Sequence, residues 1–368
     1  MPGLNNFLQY AVSMGASDLH ISIGCPPMMR VNGELRPLKW KPLTAKESLS
    51  LIGEILNPEQ QRFFTERLDL DFCHEVANVG SFRANVLKQR NGVDAVFRVI
   101  PSQIKPMDDL GLPRIVKDLT HYHNGLILIT GSAGNGKSTT LAAMIDYINS
   151  GRRLHIITIE DPIEFVHVPK TANISQREVK MHTETFASAL RASLREDPDV
   201  ILIGELRDLE TISMAITAAE TGHLVLGTLH TRTAAKTVDR IIDIFPANQQ
   251  NQIRSQLSEA LRGVITQQLV PRADGKGRAL AYEVLVGTPA VANLIRESKT
   301  FQIPSLMQIG SKEGMSLMDQ SLFSLFQNGI ISQDEAMLRM ENRRMITNSK
   351  NKQEASKPLA ANVGVKNG

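Results

Sequence analysis

The chain has 368 residues, 42% of them hydrophobic, a formal net charge of +3 at pH 7 and two cysteines. That length predicts two or three domains with real cores, and the charge is too small to argue for a nucleic-acid partner. No stretch reaches the roughly 18 apolar residues of a membrane-spanning helix and Met1–Tyr10 lacks a signal-peptide pattern, so the expectation is a cytosolic protein with Cys25 and Cys73 as free thiols.

From the N-terminus, residues 3–14 carry a helical pattern and 17–23 a strand that stops at Pro26-Pro27. Asn32-Gly33 reads as a hairpin turn between strands at 29–31 and 34–38. Thr44, with Glu47 three residues on, is the signature of a capping box and opens a helix to about residue 56. Pro58 opens a second helix to about 67. Strand patterns at 70–76, 81–89 and 93–100 follow, the last two joined at Asn91-Gly92. These elements predict a small α+β domain over residues 1–100. The proline-bearing stretch 101–118 reads as a linker.

Beyond it, apolar runs at 126–130, 154–159, 200–203 and 224–229 alternate with helical patterns such as 139–149, 185–195 and 209–220. Alternation of this kind predicts an α/β domain with a parallel sheet, over residues 119–345, and ligands at the carboxyl ends of its strands. A late hairpin at 263–269 and 279–286 precedes helical patterns at 290–297, 316–327 and 333–342. The polar end, 346–368, has no periodicity and reads as a disordered tail.

Gly131-Ser132-Ala133-Gly134-Asn135-Gly136-Lys137-Ser138 matches the P-loop spacing at every fixed position, between a strand and a helix that continues from Thr139. Backbone N–H groups of such a loop point at phosphate oxygens, and the helix N-terminus adds partial positive charge. Lys137 is placed to reach the β- and γ-phosphates of ATP, and the Ser138 hydroxyl to ligate Mg²⁺. Strand 154–159 runs into Glu160-Asp161-Pro162-Ile163-Glu164. Phosphoryl transfer to water needs a group that orients the attacking water; Glu164 is the first candidate and Glu160 the second. Strand 200–203 delivers Gly204-Glu205, a Walker B arrangement with glycine where aspartate usually stands; Glu205 is assigned to Mg²⁺. His223 and His230 bracket strand 224–229, with His230 at its carboxyl end where a γ-phosphate contact is chemically possible. His155, His167 and His182 are read as structural. An arginine from a neighbouring subunit commonly stabilises the transferred phosphoryl, and Arg191, Arg195, Arg207 and Arg240 are all open to that reading.

The P-loop, the acidic stretch 158–164, the run Leu194–Glu205 and the run Thr221–Thr231 together are similar to the secretion ATPase superfamily. Gly15-Ala16-Ser17-Asp18-Leu19-His20 and Glu205-Leu206-Arg207-Asp208-Leu209-Glu210-Thr211 narrow the likeness to its type IV pilus retraction branch, the PilT family. The resemblance spans about residues 3–345. It implies a PAS-like N-terminal domain before a RecA-like motor, a homohexameric ring with ATP between subunits, and retraction of pili in twitching motility. It implies work at the cytoplasmic face of the inner membrane with a pilus platform protein. It matches Glu164 to the family's catalytic glutamate, Glu205 to its Walker B glutamate, and His223 and His230 to its His box. It also matches Arg83 and Arg98 to arginines that reach a nucleotide across a subunit boundary. Assembly and type II secretion ATPases share the motor but carry a longer N-terminal part and a four-cysteine zinc insert, which two cysteines cannot supply. Val291 and Ala292 stand where the family's C-terminal signature has isoleucine and its first arginine. That difference opens an alternative: an accessory retraction ATPase resembling PilU, paired with a paralogous motor.

Overall fold

A computed structural model describes residues 2–31, 34–100 and 103–346. The Asn32-Gly33 turn and, apart from Ile346, the expected tail lie outside the described residues. By internal contacts the chain divides into two compact units. One comprises Met1–Asp109, Thr120–Leu126 and Ser138–Thr228; the other comprises Leu110–Leu119, Ile127–Lys137 and Leu229–Gly368.

In the first unit, six strands form an antiparallel sheet: β1 (Asp18–Ile21), β2 (Met28–Val31), β3 (Glu34–Pro37), β4 (Asp69–Val76), β5 (Gly80–Gln89) and β6 (Gly92–Ile100). Their order is β3-β2-β1-β6-β5-β4, so β4 is an edge. Inward-facing residues alternate along β5, where Phe82, Ala84 and Val86 are buried. They pack on Leu4, Phe7 and Leu8 of helix Leu4–Ser13 and on Leu51 and Ile52 of helix Ala45–Gly53. Thr44 and Glu47 form the capping box that their spacing predicts. The β5–β6 hairpin differs by one residue from expectation. Gln89 pairs with Gly92, so Arg90-Asn91 make the turn. Gly92 lies in the strand, at φ 143°, where an added Cβ would stand 2.6 Å from Ile23 Cδ1.

The second sheet contains β7 (Gly125–Thr130), β8 (His155–Glu160), β9 (Asn173–Glu178), β10 (Val200–Ile203), β11 (Leu224–Leu229), β12 (Leu261–Pro271) and β13 (Arg278–Val286). Their order is β13-β12-β7-β11-β10-β8-β9. Strands β9, β8, β10 and β11 run parallel, while β12 and β13 form the antiparallel hairpin. β7, β10 and β11 are buried along their whole length, which is why they read as unbroken apolar runs. In the second unit, the helices Met318–Gln327 and Gln333–Arg339 cover one end of the hairpin, packing Leu322, Ala336 and Met340 on Val270 and Ala281.

Strand β9 and the helices Arg114–Leu119, Ala234–Asp243, Ala247–Ala260 and Ile303–Ile309 are additions to the expected elements. The first of these helices falls inside the stretch expected as linker. The two cysteines are not disulfide-bonded. Among the described residues, no helix is long and apolar enough to cross a membrane.

Candidate active site

P-loop residues Gly131–Lys137 belong to the second unit, and the loop's shape follows from its glycines. Gly131 sits at φ 136°, and a Cβ there would lie 2.4 Å from the Gln267 carbonyl oxygen. The loop therefore leaves β7 flush against the β12 backbone, an approach open only to glycine. Gly134 and Gly136 adopt left-handed φ of 76° and 82°, which fold the loop over before helix Lys137–Gly151 begins. Ser132, Ala133 and Gly134 are exposed, whereas Asn135, Gly136, Lys137, Ser138 and Thr139 are half-buried. Lys137 Nζ donates to the carbonyl oxygens of Gly131 at 2.9 Å and Ser132 at 3.2 Å, so its charge lies across the loop.

Two long-range contacts steady this loop. Asn135 Oδ1 accepts from the Leu269 N–H at 3.1 Å, and Arg278 Nη1 donates to the Gly134 carbonyl at 3.2 Å. No motif points to Arg278, because nothing local marks a strand arginine as a loop strap. His230 also belongs to this unit and is exposed.

The acidic residues belong to the first unit. The Gly204 N–H donates to the Ile159 carbonyl at 2.8 Å, and a Cβ on Gly204 would approach the Glu160 Cα and the Ile159 oxygen at 3.3 Å each. That close approach of β10 to β8 leaves little room for a side chain where aspartate usually stands. Glu205 follows it with a side chain 19% exposed and accepts from Arg207 Nη2 at 2.5 Å. The hydrogen bond and charge of Glu205 raise the Arg207 pKa. Arg207 thus partners Glu205 within the chain, and Arg191 pairs with Glu210 on the surface.

Glu160 and Glu164 separate clearly. Glu160 points inward and accepts from Thr158 Oγ1 at 2.7 Å, from Gln176 Nε2 at 3.4 Å and from the Glu164 N–H at 3.4 Å. Burial pushes its carboxyl up to about 7 against the pull of those donors. Glu164 is exposed. Its backbone lies in a loop, residues 161–167, pinned by β9. Gln176 donates to the Phe165 carbonyl at 2.8 Å and accepts from the His167 N–H at 2.7 Å, and Glu178 accepts from the Ile163 N–H at 3.1 Å.

The two histidines of the matched box are not brought together. His223 precedes β11 and its Nδ1 lies 3.0 Å from the Ala218 carbonyl, while His230 stands past the far end, about 20 Å along an extended strand. Among the other histidines, His155 lies near the backbone oxygens of Glu196 and Asp197, and His182 Nδ1 accepts from the Glu178 N–H. Burial lowers His167 to about 4, a neutral ring at pH 7.

Arg83 and Arg98 are cross-strand partners, and the same row continues to Asp18 and Arg30. Residues directly opposite in a sheet share a face, so three arginines line up around one aspartate. Asp18 Oδ1 accepts from Arg98 Nε at 2.9 Å, and Arg30 Nε stands 3.7 Å from Oδ2. Burial opposes ionisation of Asp18, but hydrogen bonds from Ser17 and Arg98 hold its carboxyl below the usual range. The Arg98 side chain remains 68% exposed, anchored at one end by Asp18. The run Gly15–His20 contains this aspartate, though its motif alone gives Asp18 no role.

Comparison with known proteins matches residues 1–356 to the type II/IV secretion system protein family. The type IV pilus retraction ATPase PilT of Pseudomonas aeruginosa is 50% identical, over 90% of this chain and 96% of its own length. The type IV pilus ATPase PilU of the same organism is 42% identical, over 90% of this chain and 86% of its own. Among solved structures, the pilus retraction motor PilT with bound ADP superposes with a TM-score of 0.89, at 46% identity, covering 95% of this chain and all of that one. The mixed α/β fold, the P-loop and the relatives agree: the chain belongs to the type II/IV secretion system protein family, in its pilus retraction ATPase branch.

Proposed function

We propose that this protein is an ATP-hydrolysing motor that retracts type IV pili and drives twitching motility. In this reading residues 1–100 are the N-terminal domain, 101–118 the linker and 119–345 the motor. It works as a homohexamer in the cytoplasm, at the inner-membrane face, against a pilus platform protein. The observation that carries the reading is the P-loop. Its glycines adopt the conformations a phosphate cradle requires, Lys137 lies across it, and a helix N-terminus opens behind it.

The residues fit a nucleotide and a hard cation. Backbone N–H groups of Gly131, Ser132, Ala133, Gly134, Asn135 and Gly136, with Lys137 and Thr139, hold the phosphates. The Ser138 hydroxyl and the Glu205 carboxylate are oxygen donors of the kind Mg²⁺ takes. Bound Mg²⁺ would neutralise charge on the β- and γ-phosphates. Glu164 orients the attacking water: it is exposed, whereas Asp161 of the same loop is paired with Lys180 and Glu160 is turned inward and bonded. His230 donates to the γ-phosphate, and His223 steadies the start of the same strand. Arg83 and Arg98 offset phosphate charge from a neighbouring subunit, with Asp18 holding Arg98 in place.

One observation favours a second reading, an accessory ATPase that assists a paralogous motor. Ala292, half-buried on helix Pro289–Arg296, stands where the branch's C-terminal signature has arginine. The higher identity to PilT than to PilU favours the autonomous motor. Complementation decides: in a strain lacking every other retraction ATPase, this chain restores pilus retraction if autonomous. Retraction restored only alongside a second motor identifies the accessory role.

A further inference from the structure

Glu178 ends β9, an edge strand, and is buried at 2% exposure. Its two carboxylate oxygens face in different directions. Oε2 accepts from the Ile163 N–H at 3.1 Å, one residue before Glu164. Oε1 accepts from the Cys73 N–H at 3.3 Å, on β4, an edge strand of the N-terminal sheet. Met181, three residues on, packs against the N-terminal hydrophobic core. A single side chain thus joins the edge of the N-terminal sheet to the loop that carries Glu164.

The rest of that loop has no such outlet. Gln176 holds Phe165 and His167, Glu160 holds the Glu164 N–H, and Lys180 Nζ stands 3.4 Å from both carboxylate oxygens of Asp161. All of these partners lie on β8, β9 or the turn after β9. Only Glu178 reaches from the loop to the N-terminal domain by hydrogen bonds among these ties.

We infer that Glu178 is a positioning residue that makes the placement of Glu164 depend on docking of the N-terminal domain. The inference rests on the assignment of Glu164 proposed above. The chemistry demands a glutamate. Two N–H donors approach from opposite sides, so two acceptor oxygens are needed, and an amide would turn an NH₂ toward one of them. Either N–H left without its acceptor in a buried setting is costly, so the two sides favour each other's contact. When β4 is seated, Glu178 is fixed and holds Ile163; when β4 withdraws, Glu178 loses one partner and the loop loses its brace. Water orientation by Glu164 belongs to the chemical step, whereas nucleotide binding belongs to the P-loop. Loss of the relay therefore lowers kcat and leaves KM for ATP in place.

The test uses the full chain as its native oligomer, with steady-state ATP hydrolysis as the readout. Glu178→Gln cuts one of the two bonds. Cys73→Pro cuts the domain side alone, because the Cys73 N–H points outward from an edge strand, where proline is tolerated. Each is expected to lower kcat about tenfold with KM within about twofold, the size of effect that small misplacements of a reacting group produce. The double variant loses no more than the worse single one, and Cys73→Ala, which keeps the N–H, retains wild-type kcat. Wild-type kcat in Cys73→Pro overturns the relay, whatever Glu178→Gln does. Turnover retained by Glu164→Gln, measured beside them, instead sinks the assignment of Glu164 itself. If the substitutions unfold the chain, hydrogen exchange on the unaltered protein decides. Amides of residues 72–74 and 163–165 then exchange in one common opening under the relay, and in separate openings if it is wrong.

Discussion

Two of the loops that carry residues assigned to hydrolysis, the P-loop and the loop at 161–167, are built on opposite plans. The P-loop is shaped by its own glycines, at φ values that other residues avoid, and by backbone lying against backbone at Gln267. The loop at 161–167 contains no glycine and takes its position from the side chains of β9 and from Glu160. A binding cradle that must present N–H groups needs backbone freedom frozen in one form. A loop that must place one carboxylate relative to a moving partner is better held by replaceable hydrogen bonds.

Substitutions that strike the first plan should have the largest effects. Lys137→Ala removes the charge that lies across the cradle and should lower ATP turnover by at least about 100-fold, read by steady-state hydrolysis. Glu205→Ala should do the same if its carboxylate holds the cation. Gly131→Ala should cost at least about 2 kcal/mol in stability, read by thermal melting, because its Cβ meets a backbone oxygen that cannot step aside. A fully stable, active Gly131→Ala protein would break the claim that backbone contact shapes the loop.

Asp18→Asn tests the arginine row more gently. It keeps one acceptor but loses the charge that anchors Arg98, and should reduce turnover several-fold while the isolated fold melts within a few degrees of the parent. An unchanged rate would separate Arg98 from the reaction.

Glu160→Gln probes the second plan through pH. Burial raises the folded-state carboxyl to about 7 from an ordinary value near 4.5. The folded state therefore binds more protons than the unfolded one between those values. Stability from this group is present below about 4.5 and is lost as pH rises through 7, by up to about 3 kcal/mol. The glutamine variant should accordingly gain on the parent between pH 5 and pH 8 in melting temperature. A difference that stays flat with pH would remove the Glu160 carboxylate from the account. The smallest effect expected is from Asn135→Ser, which gives up one bond to Leu269 and should change turnover by less than about threefold.

The same contrast explains what the sequence made legible. Strands β7, β10 and β11 stand out because burial on both faces makes them uninterrupted apolar runs. The P-loop is legible because its glycine code is local. Its straps are not: Asn135 and Leu269 are 134 residues apart, and Arg278 and Gly134 are 144 apart. Strand β9, Asn-Ile-Ser-Gln-Arg-Glu, carries a single aliphatic residue and no alternating apolar face. Two of its polar side chains, Gln176 and Glu178, hold the loop at 161–167, and that polar character is what hid it as a strand. Helix Ala247–Ala260 escaped for a related reason, with Ile253 and Leu257 as its large buried anchors among polar residues. At Gly92 the turn signal was right about the hairpin and one residue off about the turn. The glycine serves a close contact with Ile23 instead.

The most direct test of the central claim is steady-state ATP hydrolysis by the purified protein beside Glu164→Gln, with oligomeric mass measured on the same samples. The account predicts Mg²⁺-dependent turnover by a hexamer, lost in the variant while ATP still binds. A variant that hydrolyses ATP at the parent rate would contradict it.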